Sequence, residues 1–333
     1  MKPIPHDPTR RQFVCASLAA PLLGLAHSPV AFAADYPGSR PIRLVVPFPA
    51  GGGTDITGRW IALGLAQELK ATVIVDNVPG ATGTLGAGQV ARAAPDGHTL
   101  LLGISATNAI APALYKGLSY KPETDFTPLA RVAFGGNLIV VHPSLSVKNI
   151  GELSDLARKS GGDLAYGSWG VGSGGHLAME GLNQHAGTKI THVPYKGVAP
   201  LLQDLMGGHI KVAVVDLGAG APYVTSGKLR PIAVSGAKRS SLLPQVPTLV
   251  EQGVPFDTES WYAVFGPARM PAPVVAQLAQ ALQNVLKTPD SAKRIHDLGM
   301  EGVPISREAF EQLVRKDIRV WGEVVDKGGI KLE

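Results

Sequence analysis

Three consecutive glycines stand between an apolar run and an amphipathic one in Pro47-Phe48-Pro49-Ala50-Gly51-Gly52-Gly53-Thr54-Asp55. Where a strand passes through such a joint into a helix, successive backbone N–H groups converge, and the helix start adds about half a positive charge. That chemistry holds a carboxylate or phosphate without any arginine. The joint is neither a nucleotide P-loop, since no Gly-Lys-Ser/Thr follows the glycines, nor a G-x-G-x-x-G turn. Asp55 acts in two directions: as a cap it satisfies the helix, but its charge opposes an anion placed too near. A tight strand–helix turn capped by Thr54 or Asp55 is the plain alternative.

A second joint, Tyr166-Gly167-Ser168-Trp169-Gly170-Val171-Gly172-Ser173-Gly174-Gly175-His176, repeats the arrangement further along the chain. Two such helix starts facing each other would hold one carboxylate from both sides. Ser105-Ala106-Thr107-Asn108 follows another apolar run, and its Ser105 and Asn108 suit direct or water-mediated hydrogen bonds or a helix cap. Asp216 closes the run from Lys211 to Val215, either accepting from a ligand amine or capping a turn. Trp169 could narrow a pocket, stack on an aromatic acid or pack in the core.

Catalytic signatures are poor. The histidines form no H-E-x-x-H pattern and have no cysteine partner, so neither a metal nor a cofactor is expected. His185 and His192 read as surface residues at a helix–strand junction. Gly170-Val171-Gly172-Ser173-Gly174 is the wrong arrangement for a nucleophile elbow. No enzyme activity is expected; a periplasmic hydrolase using Ser168 or Ser173 is the rival class.

The elements that must position these residues alternate. Ile42 to Phe48 reads as a strand, Ile56 to Leu69 as a helix, Thr72 to Val75 as a strand, Gly86 to Ala94 as a helix and Thr99 to Ile104 as a strand, with a helix through Ala109 to Tyr115. Two β-rich runs split by Gly135-Gly136 interrupt the series, which then restarts with helices and strands from Ile150 to Ser235. Thr258 to Gly266 is strand-like and returns to the first domain. Three helices finish the chain, opened by Pro273, Thr288 and Ser306, the last carrying a stripe of Phe310, Leu313, Val314, Ile318, Trp321 and Val325 and stopped by Gly328. Strand–helix alternation predicts an α/β protein with parallel sheets. The expected division is residues 35–135 plus 255–333 as one domain and 136–254 as the other, with the ligand cleft between them.

The 333 residues exceed one ordinary core, and 45% apolar content excludes general disorder. Of the net charge of +5, the first 34 residues carry +2 through Lys2, Arg10, Arg11 and Asp7, and no cluster of basic residues follows. Nucleic acid is therefore not an expected partner. Residues 1–34 have the layout of an export signal: Arg10-Arg11, an apolar run from Val14 to Phe32, and small residues at Ala31, Ala33 and Ala34. Arg10-Arg11 reads either as a twin-arginine signal or as part of an ordinary one. The sole cysteine, Cys15, lies inside this segment, so the exported chain can form no disulfide. A periplasmic protein is expected, without a membrane span.

Several stretches together resemble the Bug, or TctC-like, family, the periplasmic substrate-binding proteins of tripartite tricarboxylate transporters. They are Tyr36-Pro37, Arg40-Pro41-Ile42-Arg43 and the segment from Val45 to Asp55; Val75-Asp76-Asn77 with Pro79-Gly80-Ala81; Ala94-Pro95-Asp96-Gly97-His98-Thr99-Leu100; His192-Val193-Pro194-Tyr195-Lys196-Gly197; Gly227-Lys228-Leu229-Arg230; and Val246-Pro247-Thr248-Leu249. The resemblance implies a type II periplasmic-binding-protein fold, two Rossmann-like domains that shut on a ligand. It implies citrate or another di- or tricarboxylate, an acidic amino acid or an aromatic acid as ligand, with neutral amides such as nicotinamide known by resemblance. It implies contacts from Pro49, Ala50, Gly51, Gly52, Thr54 and Asp55, with Phe48 beside them. Position and chemistry extend the set to Ser105, Asn108, Gly167, Ser168, Gly172 and Ser173, with Tyr195 and Asp216 as cleft walls. The expected partners are the membrane subunits of such a transporter, with a sensor kinase as the variant reading, and the protein is expected to act as a monomer.

Overall fold

Ile42–Val46 (β1) is buried except at Arg43, and an apolar run with no alternation belongs at the centre of a sheet covered on both faces. A computed structural model describes residues 36–330; the expected export segment, Cys15 included, lies outside the described residues. After β1 come α1 (Gly53–Leu69), β2 (Val73–Asn77), α2 (Thr84–Ala91), β3 (Thr99–Ile104), α3 (Ala111–Leu114), α4 (Pro122–Asp125) and β4 (Phe126–Gly135). A second series follows: β5 (Asn137–Val141), α5 (Ile150–Lys159), β6 (Ala165–Ser168), α6 (Gly174–Ala186), β7 (Thr191–Pro194), α7 (Val198–Met206), β8 (Val212–Asp216), α8 (Leu217–Thr225) and β9 (Arg230–Val234). The chain ends with β10 (Ser260–Pro267), α9 (Ala272–Leu286), α10 (Pro289–Asp297) and α11 (Arg307–Gly328).

Two five-stranded sheets result, ordered β2-β1-β3-β10-β4 and β7-β6-β8-β5-β9. The expectation of wholly parallel sheets is corrected: β10 lies antiparallel to β3 and β4, and β5 antiparallel to β8 and β9. The reason is connectivity. β5 and β10 are the strands that arrive from the other sheet, so no βαβ crossover sets their direction. The two crossings run side by side. Asn137 N–H donates to Ser235 Oγ at 2.8 Å and Ser235 N–H to the Asn137 carbonyl at 2.9 Å, while Ser260 pairs with Gly135.

Helix starts follow local rules. Thr288 Oγ1 accepts from Ser291 N–H and Ser306 Oγ from Ala309 N–H, as the sequence predicts, whereas α11 runs through Gly328 and is capped by Gly329. The helix expected over Ala109 to Tyr115 is instead a wide π-helical turn over Ala106–Ile110 followed by α3. Pro112 has no N–H to give the Asn108 carbonyl, which favours the i→i+5 bond that Ala111 makes to Ala106.

α11 determines how the sheets sit together. Phe310, Val314, Trp321 and Val325, four of its predicted stripe, are buried in one core that takes Val45, Leu101 and Phe265 from the first sheet and Ile139, Tyr166 and Val214 from the second. Each sheet also has a core of its own on its other face, around Leu44, Ile61 and Leu282 in one and Leu138, Leu205 and Val215 in the other. None of the helices among the described residues is long and apolar enough to cross a membrane.

Candidate ligand-binding site

Three helices begin at one cavity. α1 contributes Gly53, α6 contributes Gly174 with its cap Ser173, and α8 contributes Leu217, Gly218 and Ala219 with Asp216 before them. The wall is completed by the end of β3 (Ile104, Ser105), by Ser260, Trp261 and Tyr262 of β10, and by Leu298, Gly299 and Met300. The cavity measures about 390 Å³, within the range of small-molecule sites, and it takes residues from both sheets where the chain crosses between them.

Its electrostatics come from backbone rather than cations. No Arg, Lys or His among the described residues lines it. The N-cap of α1, Gly52, has no side chain, and the N–H of Gly53, the residue of this helix start that reaches the cavity, donates to no other described residue, so it remains available to an anion. Burial pushes the Asp216 carboxyl up to about 6 and raises the Tyr262 hydroxyl, with Asp216 adding to the latter. Tyr262 Oη also stands 3.4 Å from where a side chain at Gly53 would begin, so the hydroxyl and the α1 start share one corner.

Of the residues singled out from the sequence, Ser105, Ser173 and Asp216 line this cavity, as does Trp169, whose ring packs against the helix start at Gly175. The others are placed elsewhere. Phe48, Pro49, Ala50, Gly51 and Gly52 form the loop before α1 without lining the cavity, and the Gly51 N–H is already taken, donating to Asp55 Oδ2 at 2.9 Å. Gly51 stands at φ +86°, where a side chain would strain the turn. Thr54 is buried behind Gly53, the glycine that does reach the cavity.

Asp55 is neither a cap nor a free charge. It is 3% exposed and ties the loop down, accepting from Gly51, from Arg59 Nε at 2.9 Å and from Asn77 Nδ2 at 2.9 Å. These donors, Arg59 foremost, hold its carboxyl down to about 2. Asp55→Ala is expected to cost roughly 2 kcal/mol, the scale of hydrogen bonds to a buried charge. Because the folded value lies below the ordinary one, this contribution is complete above about pH 4 and is lost as pH falls towards 2. Urea denaturation of both proteins at pH 7 and pH 3 checks it: the gap should narrow at pH 3.

The second joint also departs from expectation. Gly167 packs under Leu201 and the Tyr195 ring, and Tyr195 Oη donates to Asp204 Oδ2 at 2.8 Å, so neither lines the cavity. Asn108 is fully buried in the π-helical turn against Gly103, also outside the cavity. Gly172 N–H donates to His176 Nδ1 at 3.0 Å. His192 is not a surface residue: its ring stacks on that of His176 with centroids 3.9 Å apart, and its Nε2 lies 2.7 Å from Ser168 Oγ. Burial pushes His176 down to about 3 and His192 to about 4, so both are neutral near pH 7.

A serine beside a neutral histidine invites comparison with a hydrolase. Ser168 is fully buried, however, and shares its hydroxyl among His192, Ser173 and the Gly170 backbone. The other ring nitrogen of His192 has no hydrogen-bond partner among the described residues, so no carboxylate orients it. Sequence reasoning missed the contribution of β10 (Ser260, Trp261, Tyr262) and of Gly299 and Met300. The reading of Thr258 to Gly266 as the returning strand was the available signal, because a strand that crosses between lobes enters the cleft between them.

The pattern of the tripartite tricarboxylate transporter family receptor matches residues 57–330. A UPF0065 protein from the TAR-I ttuE-ttuC' intergenic region of Agrobacterium vitis is 33% identical over 324 residues, covering 96% of this chain and 92% of that protein. Among solved structures, R. palustris Rpa4515 with adipate is 35% identical with a TM-score of 0.74, covering 90% of this chain and all of that one. MatC (Rpa3494) from Rhodopseudomonas palustris with bound malate is 33% identical with a TM-score of 0.71, covering 86% and 99%.

Proposed function

This chain belongs to the tripartite tricarboxylate transporter receptor family, and from that premise we propose that it captures a small carboxylate in the cavity between its sheets and presents it to the membrane subunits of such a transporter. The observation that carries the reading is the cavity itself: the unshared Gly53 N–H at the start of α1, a second helix start at the cavity from α6, and no cationic side chain among the described lining residues. Several charge-assisted hydrogen bonds from fixed N–H groups, each contributing about 1.5–3 kcal/mol, suffice to hold a desolvated carboxylate. Adipate and malate on the two solved relatives support the ligand class.

Closure is the mechanism. Residues 35–135 with 255–333 form one moving body and 136–254 the other, as the membership of the two sheets suggests, with Gly135-Gly136 and the strand entering at Ser260 as the connections that flex. A ligand populates the closed arrangement to the extent that it binds it better than the open one. The protein acts in the periplasm, which the Arg10-Arg11 export layout supports.

A thermal-shift screen of di- and tricarboxylates, acidic amino acids, aromatic acids and neutral amides tests this. At a hundredfold excess over Kd the true ligand should add about 2.7 kcal/mol to the unfolding free energy. If no acid in that set raises Tm, the carboxylate reading is wrong. Ser168→Ala should keep the same response and release no product from small esters; turnover lost in that variant would instead establish the hydrolase.

A further inference from the structure

We propose that Asp216 decides which carboxylates the cavity accepts, taking the hydrogen-bond-donating end of a ligand with one carboxylate and excluding acids with two. This rests on the reading of the cavity as a carboxylate site and goes on to name the class within it. Asp216 ends β8 opposite Asn137 of β5 and stands at the cap position of α8, yet its side chain makes no capping hydrogen bond. No other described residue donates to its carboxylate, which faces a cavity deep enough to shift its proton affinity upward. A half-buried carboxylate with no donor beyond its own backbone N–H is incompletely satisfied, and a ligand that brings an ammonium, hydroxyl or amide N–H supplies a further one.

The charges around the cavity support the same division. Among the described residues that line it, Tyr262 is the only other titratable side chain, and burial keeps it neutral; on the elements behind them Asp55 and Arg59 of α1 pair with each other, His176 of α6 is held neutral by burial, and the 298–300 segment carries no charge. The starts of α1 and α6 supply roughly half a positive charge each, enough for one ligand carboxylate. The start of α8 is already opposed by Asp216. A second ligand carboxylate about 6 Å from Asp216 would meet a repulsion on the order of 100-fold in affinity at the effective dielectric of such sites. Trp169, Trp261 and Tyr262 add aromatic surface to the lining, suited to a short aliphatic or flat aromatic body. Adipate and malate, held by relatives about one-third identical, carry two carboxylates, so this chain would differ from them in selectivity.

Titration calorimetry on the exported chain with matched ligands tests the assignment: glutarate against 4-aminobutyrate and 4-hydroxybutyrate, and terephthalate against 4-aminobenzoate and 4-hydroxybenzoate. At pH 7.5 the donor-bearing acid of at least one set should bind tenfold or more tightly than its dicarboxylate. Asp216→Asn should erase that preference, and Asp216→Ser, which places a residue type favoured at helix starts there, should do the same, with unliganded Tm values showing that both variants fold. Dicarboxylate binding to the wild type should strengthen from pH 8 to 6.5, as the Asp216 carboxyl begins to protonate, and should do so less in either variant. Equal or tighter dicarboxylate binding at pH 7.5, or a preference that survives Asp216→Asn, overturns the inference while leaving the carboxylate site intact. Failure of every acid, in wild type and variants alike, removes that reading and this inference together.

Discussion

Gly218→Ala should weaken ligand binding by about 5- to 150-fold while leaving the unliganded protein's Tm nearly unchanged. Gly218, in the first turn of α8, belongs to the second sheet's side of the cavity. Across from it, Leu298, Gly299 and Met300 are tied to the first sheet, since Phe134 and Glu301 exchange N–H to carbonyl bonds of 2.9 and 2.7 Å. A methyl group at Gly218 would stand 2.5 Å from Gly299 Cα and 2.6 Å from the Leu298 carbonyl oxygen. Those atoms are backbone and cannot swing aside, so the two walls must separate. Overpacking of this kind costs roughly 1–3 kcal/mol, the affinity range stated. On the proposed closure mechanism an open arrangement relieves the clash, so the penalty falls on closure rather than on folding. Gly299→Ala meets Gly218 from the other side, and its φ of +68° adds strain of its own. Calorimetry measures the affinity, and small-angle scattering should show that ligand compacts the variant less than the wild type at the same concentration. Gly322→Ala, in the middle of α11 with nothing near its added methyl, is the control, expected to bind normally and to be more stable by about 0.5–1 kcal/mol.

Trp261→Ala is expected to lower the unfolding free energy by about 5 kcal/mol, close to the whole net stability of many proteins. The ring is 1% exposed, packs edge-on against Phe310 at 5.6 Å between centroids, and donates Nε1–H to Asp317 Oδ2 at 2.8 Å. Removing it leaves a large cavity in the core that α11 shares with both sheets, together with a carboxylate without its donor. Trp261→Phe separates the two effects, keeping most of the volume while losing the hydrogen bond, for a cost of roughly 2 kcal/mol. Burial already pushes Asp317 up to about 7 against the opposing pull of Trp261. Without that donor the charged form is less favoured still, so the Trp261→Phe penalty should be larger at pH 8 than at pH 5.5, where Asp317 is protonated in either protein. Chemical denaturation at the two pH values reads this directly; a penalty independent of pH would mean that the indole N–H does not stabilise the carboxylate.

The secondary structure was legible where a signal is local. The buried run of β1, the Thr288 and Ser306 caps and the stripe of α11 all follow from residues within a few positions of one another. The start of α8 has little local signal, because Gly218 and Gly220 have low helix propensity and the helix is held by packing on β5, β8 and β9. The direction of β5 and β10 was not legible, since it depends on which sheet a strand enters rather than on its composition.

The sequence by itself determined that this is an α/β chain with a strand returning late, that glycine-rich joints open its helices, and that no cationic cluster is available to bind an anion; these are matters of periodicity, composition and turn chemistry. Tertiary structure alone decided which of those groups share a cavity. It spent the Gly51 N–H on Asp55, buried Asn108 and turned Tyr195 to Asp204, while bringing Gly53, Tyr262 and Gly299 into one cavity with Asp216 from distant parts of the chain. The physical reason is that each donor can be shared only so far. Whether it meets a neighbour or a ligand depends on how two sheets and one long helix pack, which no short stretch of residues encodes.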